Sequence, residues 1–168
     1  MTQTITSAKT SVRMVPALFK QGNVSNIGPR NVDFGGGKYE DGTEYLKARG
    51  VTNYVWDPYN RSQEHNAKVL FDLFRDAPDT ATLANVLNVI EKREDRIAVL
   101  TSLKHIVKKG GYIFISCYRG KIGKAPGKTS KGWQENRPLS SYYRDEIQEV
   151  FGGYLMASSM SMIVVRNA

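Results

Sequence analysis

The sequence predicts an α/β domain in which helices cover both faces of a mostly parallel sheet that ends in an antiparallel hairpin. Three observations carry this. Apolar strand-like runs alternate with amphipathic helical stretches through most of the chain. The last two apolar runs, by contrast, are separated by only a short turn. The 168-residue length suits one domain, spanning 1–168, with enough residues to bury a core.

The elements follow in order. Residues 7–20 (SAKTSVRMVPALFK) read as a short helix broken near Pro16. Asn31 to Phe34 is a short strand that runs into the turn Gly35-Gly36-Gly37. Asp41 to Arg49 is a helix, with Asp41 as its N-cap and Gly50 as its stop. Asn53 to Asp57 is the second strand, closed by Pro58. Gln63 to Phe74 is helical, with Val69, Leu70, Leu73 and Phe74 at core spacing. Thr80 to Val89 is an apolar strand that turns towards helix near Asn88. Glu91 to Val107 is a helix with Ile97, Leu100 and Leu103 inward, and Tyr112 to Ser116 is a buried strand. Ser140 to Phe151 is one more helix. Tyr154 to Ala157 and Met160 to Arg166 then form the hairpin at the sheet edge.

The glycine turn is the first functional signal. Glycines after a strand let a ligand approach the backbone closely. Asp57 lies 20 residues beyond Gly37 at the end of the next strand, where nucleoside-binding folds place an acid for ribose hydroxyls. A packing turn followed by a surface acid is the plainer alternative. The dinucleotide fingerprint fails, because its third glycine is Glu40, and a carboxylate there is unfavourable to a pyrophosphate. The P-loop pattern fails at Thr43, which follows Gly42, and again at Gly127-Lys128-Thr129, where Ile122 holds the required glycine position. A nucleoside ligand without phosphates fits better.

Asp33-x-Gly35-x-Gly37, Asp57-Pro58-Tyr59 and the stretch Ala84 to Ile90 (ANVLNVI) resemble the class I S-adenosylmethionine-dependent methyltransferases. The narrower resemblance is to methyltransferases associated with DNA phosphorothioation clusters and their short phage-like relatives. It covers roughly residues 30 to 118, with a weaker echo at Lys131 to Gln134. It implies a Rossmann-like three-layer αβα sandwich with S-adenosylmethionine as cofactor. By position, Asp33, Phe34, Gly35, Gly36 and Gly37 would line the methionine part. Asp57 would hold the ribose, with Pro58 and Tyr59 beside the adenine. Asn85, Val86, Leu87 and Asn88 would face cofactor and target at the end of the next strand. Only Gln63 to Asp79 separates Asp57 from the Thr80 strand, so the sheet is expected to be short by about one strand, the one whose acid contacts adenine in the family. Asp76 and Asp79 are poor substitutes.

Methyl transfer from a sulfonium depends largely on positioning the acceptor. Asn85, Asn88 and Gln134 are the polar candidates for catalysis. The Asn/Asp-Pro-Pro-Tyr/Phe motif of DNA amino-methylating enzymes is missing at Ala84 to Asn88, which argues against that chemistry. Cys117, the sole cysteine, ends a strand where RNA cytosine-C5 enzymes keep a nucleophile. A small buried residue is the stronger reading. His65 and His105 stand alone, and no metal spacing exists.

Charge bears on the partner. Nine cations (Lys104, Lys108, Lys109, Arg119, Lys121, Lys124, Lys128, Lys131 and Arg137) face one acid, Glu135, so this stretch carries an excess equal to the whole chain's net +8. The loop at 119–137 therefore suggests DNA or RNA, held through Lys121, Lys124, Lys128 and Lys131, or reads as a solvated lysine-rich segment. Tyr118, Trp133, Tyr142 and Tyr143 flank it and suit base stacking, a pocket roof or plain packing. With no large recognition domain, sequence-specific DNA readout would need a partner or a homo-oligomer. The expected activity is methyl transfer to a nucleic acid. A small-molecule methyltransferase with a basic lid, and a non-catalytic cofactor-binding protein, are the alternatives. One cysteine, no membrane-length apolar run and a polar N-terminus point to a cytoplasmic setting without membrane attachment.

Overall fold

The computed structural model describes residues 13–20, 26–118, 127–129, 132–153, 155–158 and 161–168. In chain order the elements are α1 (Ala17–Lys20), β1 (Arg30–Phe34), α2 (Asp41–Lys47), β2 (Thr52–Trp56), α3 (Gln63–Arg75), β3 (Thr80–Ala84), a 3₁₀ turn (Leu87–Val89), α4 (Arg93–Ile106) and β4 (Tyr112–Ser116). There follow β5 (Gly127–Thr129), β6 (Gly132–Gln134), a π-turn (Leu139–Tyr143), α5 (Arg144–Phe151), β7 (Leu155–Ser158) and β8 (Met162–Arg166). The main sheet has the order β2-β1-β3-β4-β8-β7. Its first four strands are parallel, and β8 lies antiparallel between β4 and β7. This is the expected α/β sandwich. Every residue between β2 and β3 is described, and α3 alone links them, so the strand expected to be missing is missing.

Strand alternation sorts the two faces. Val32, Leu83, Ile113, Ile115 and Ile163 pack under α3, α4 and α5 through Val69, Leu73, Leu100, Leu103 and Ile147. On the other face Phe114 and Val164 meet Leu18, Phe19 and Leu46 of α1 and α2. That second face also holds a polar ladder. Thr80 donates its hydroxyl to Asn31 Oδ1 (2.8 Å), and Asn31 Nδ2 donates to Asn53 Oδ1 (2.8 Å) and Thr82 Oγ1 (3.1 Å). Thr82 in turn donates to Asp33 Oδ1 (2.9 Å). Buried polar groups are tolerated when bonded in this way.

The edge of β2, where a further strand would pair, is met by side chains of α3. His65 Nε2 donates to the Val55 carbonyl (2.8 Å). Asn66 accepts from the Asp57 N–H (3.0 Å) and donates to the Asp57 carbonyl (2.9 Å).

Several local expectations change. The residue before α2 is Glu40, and Asp41 is the first helical residue; neither makes a capping bond there. α1 starts after Pro16; residues 7–12 lie outside the described set. On α3, Val69 and Leu73 are buried but Phe74 is 75% exposed. On α4, Ile97 is only half-buried and Arg96 takes the inward place, bonded through Nε and Nη2 to Glu146 of α5 (2.8 and 2.6 Å). The helix expected from Ser140 begins as a π-turn. The lysine-rich segment contributes β5, paired antiparallel with β6.

Candidate functional site

In an open α/β sheet the crevice forms where the strand order reverses, outside the carboxyl ends of the strands. Here the chain goes from β1 to β2 on one side and then crosses to β3 on the other. The reversal lies between the ends of β1 and β3. It brings together the glycine turn and the Asn85–Asn88 segment.

The turn is shaped by backbone constraints. Gly35 and Gly37 have φ of +77° and +78°, a region that favours glycine. A Cβ on Gly35 would stand 2.6 Å from Val86 Cγ2, so the turn and the end of β3 are in contact across the reversal. A Cβ on Gly36 would collide with the Asp33 carboxylate. Gly35 N–H donates to Trp56 O (2.7 Å), and Arg61 braces the far side through Gly37 O (2.7 Å) and an ion pair with Glu40. Glu40 is thus neutralised, which weakens the charge argument against a phosphate ligand. Arg61, in turn, is spent on the turn itself.

Asp33 is 3% exposed. Burial pushes its carboxyl up to about 7, against the Thr82 hydroxyl bond, with the neighbouring Asp57 charge adding to the rise. A cavity of about 30 Å³, room for a water or two, lies beside it between Met14, Gly36, Thr43 and Val55. Phe34 lies on the opposite face, stacked on Trp56 at 4.3 Å.

Asp57 is equally buried, and its carboxylate is fully used. Oδ1 accepts from Tyr59 N–H and Asn60 N–H (both 2.9 Å). Oδ2 accepts from Gly37 N–H (2.9 Å) and from Asn60 Nδ2 (3.0 Å). The acid expected to meet a ribose therefore ties the second strand's turn to the glycine turn in this conformation. Pro58 and Tyr59 beside it are exposed.

At the end of β3, Asn85 has φ +59°, and its Oδ1 accepts from Tyr118 N–H (2.7 Å), bridging the ends of β3 and β4. Val86 faces the glycine turn, whereas the Leu87 side chain is fully buried in the core and can offer only backbone. Asn88 is buried. Its carbonyl accepts from Glu135 N–H (2.7 Å) and its Nδ2 donates to Asn136 Oδ1 (3.2 Å), while its own Oδ1 has no partner among the described residues. Gln134 Nε2 reaches the same Asn136 oxygen (3.3 Å). Asn88 and Gln134 are thus brought together through a residue that no sequence motif marks.

Burial pushes the Cys117 thiol up to about 12, which leaves it protonated and unsuited to attack. His65 bonds Val55 O, and His105 bonds Thr101 O on α4. Tyr143 is core, with its hydroxyl on Glu135 O; Tyr118 and Tyr142 are exposed. Of the nine clustered cations, Lys104 binds Val150 O, Lys108 pairs with Asp79 and Arg137 with Glu135. Arg119, Lys121, Lys124, Lys131 and the Lys128 side chain lie outside the described residues.

The profile of the family described as methyltransferase domain matches residues 11–152. The chain belongs to that family. Among solved structures, this methyltransferase-domain chain is similar to human N-acetylserotonin methyltransferase in complex with S-adenosylmethionine. The identity is 18% and the TM-score 0.59, over 90% of this chain and 50% of that one. It is similar to an O-methyltransferase family protein from Burkholderia thailandensis at 14% identity and TM-score 0.56, over 90% and 53%. An amino pentose methyltransferase from Micromonospora echinaspora, bound to S-adenosylmethionine, gives 11% and 0.53, over 90% and 88%. The chain spans about half the length of the first two. No curated protein sequence matches it. These likenesses establish a shared fold.

Proposed function

We propose that the domain binds S-adenosylmethionine at the β1/β3 crevice and transfers its methyl group to a small-molecule acceptor. The observation that carries the cofactor reading is the charge of the crevice. Two buried carboxylates, Asp33 and Asp57, flank the glycine turn, and its one guanidinium is consumed by Gly37 and Glu40. That set suits a ligand bearing an ammonium, a sulfonium and a ribose, and offers nothing to a pyrophosphate. Glycines 35 to 37 and Asp33 would hold the methionine end, and the Asp57 turn the nucleoside. The 30 Å³ cavity is far too small for such a ligand, so it would lie across the open carboxyl ends of β1, β2 and β3. Bound there, the cofactor supplies an electrophilic methyl group. The protein's part is to orient the acceptor, since both histidines and the thiol are committed elsewhere.

The small-molecule reading draws support from the segment after β6, which packs on Asn88 and sets the side-chain amides of Asn88, Gln134 and Asn136 together at the same edge. Two of the similar structures, an O-methyltransferase family protein and an amino pentose methyltransferase, lean the same way. The second reading, a nucleic-acid acceptor, rests on the basic stretch at 104–137 and on the narrower likeness to phosphorothioation-associated enzymes. Calorimetry with S-adenosylmethionine and S-adenosylhomocysteine tests the cofactor. Transfer of labelled methyl onto a panel of phenols, amines and sugars, beside DNA and RNA, tests the acceptor. Absence of cofactor binding refutes the whole reading; label on nucleic acid alone refutes the small-molecule half.

A further inference from the structure

The four acceptor positions on Asp57 are not equivalent. Three are filled by backbone N–H groups, of Tyr59, Asn60 and Gly37, which are fixed by the two turns they belong to. The fourth, on Oδ2, is filled by a side-chain amide, Asn60 Nδ2 at 3.0 Å. A carboxylate offers about four lone-pair sites in all, so no position is left for an arriving hydroxyl. Only the Asn60 amide can leave without unmaking a turn. It can do so by rotating about its own side-chain torsions, while the Asn60 N–H stays on Oδ1.

Resting on the cofactor reading above, we infer that Asn60 occupies the ribose subsite of the free protein and is displaced from Asp57 Oδ2 by a single ribose hydroxyl. The exchange trades one hydrogen bond to a buried carboxylate for another. Cofactor affinity is thereby lowered by the bond that must first break, and Asp57 reads one hydroxyl rather than both. Asn60 thus sets affinity without being needed for it.

The test is calorimetric titration of S-adenosylhomocysteine, and of its 2′,3′-dideoxy analogue, into wild type, Asn60→Ala and Asn60→Ser, whose side chains are too short to reach Oδ2. Both variants should bind S-adenosylhomocysteine about ten- to a hundredfold more tightly than wild type, the worth of one such bond to a carboxylate. Neither should gain for the dideoxy analogue. Unchanged or weakened binding by folded variants, or an equal gain for the analogue, overturns the inference. Loss of fold in both variants, seen by circular dichroism, also overturns it, because Asn60 would then be a strut. If none of the three proteins binds either ligand, the cofactor reading fails, and the inference falls with it.

Discussion

Replacing Asp33 with asparagine should stabilise the protein at alkaline pH and leave it unchanged in acid. The carboxyl is 3% exposed, and burial raises it from 3.8 to about 7. Between those values the folded state holds a proton that the unfolded state has released. Stability must therefore fall as pH rises through this window and level off above it. The difference corresponds to about 4 kcal/mol. The substituted amide would keep the shape and an oxygen for the Thr82 hydroxyl, but has no charge to bury. Urea unfolding at half-unit steps from pH 4.5 to 8.5 gives the curve, and subtracting wild type from Asp33→Asn cancels the other carboxyls. The variant should exceed wild type by only about 1 kcal/mol at pH 4.5 and by up to about 4 kcal/mol at pH 8.5. A difference that stays flat across the window would refute the burial argument. The same variant should bind S-adenosylmethionine more weakly if the carboxylate is kept to meet the methionine ammonium, a trade of stability for function.

The two glycines Gly35 and Gly50 share nearly the same φ, +77° and +80°, but a Cβ meets Val86 at the first and nothing within 4 Å at the second. Gly50→Ala should cost about 1–2 kcal/mol from backbone strain alone, and Gly35→Ala about 1–3 kcal/mol more from crowding; equal losses in denaturant titrations would show that Val86 yields freely. Cys117 should resist iodoacetamide at pH 8 in the native protein and react promptly in urea, because burial holds its thiol up to about 12; fast native alkylation would reopen its case as a nucleophile. Glu146→Gln, which leaves the buried Arg96 guanidinium without its charge partner, should destabilise by about 3–5 kcal/mol; a loss below about 1 kcal/mol would mean that water reaches the pair.

What the sequence shows clearly is what is local. The alternation of strands and helices, the turn at Gly35 to Gly37 and the spacing to Asp57 are each legible within a few residues. What it hides depends on distant partners. Arg96 reads as a surface residue until Glu146, 50 positions on, is seen beside it. Asn31, Thr80 and Thr82 look like a solvent face because they alternate with apolar neighbours, yet they bond one another inside the sandwich. Phe74 fits the helical period, but α3 leaves that side of its surface exposed. The strand pattern puts Asp57 at a strand end, where it lies; that its oxygens are all engaged follows from bonds to Tyr59, Asn60 and Gly37, which the spacing does not predict. Asn66 and Arg61, which fix the two turns, carry no motif at all.

The side chains at the margin of β2 bear on how this protein behaves in a crowded solution. A bare strand edge is a template on which another chain can add, and proteins guard against this with charge, proline or a covering element. β2 reads TNYVW, with neither charge nor proline. Its Val55 carbonyl and the adjoining peptide of Asp57 are already committed to His65 and Asn66. A strand arriving from a second molecule would find those groups spent. At these positions two consecutive residues on the first turn of a helix stand where a further strand would pair. Since Asn66 also holds the peptide of Asp57, part of that edge and the shape of the candidate nucleoside site share one amide.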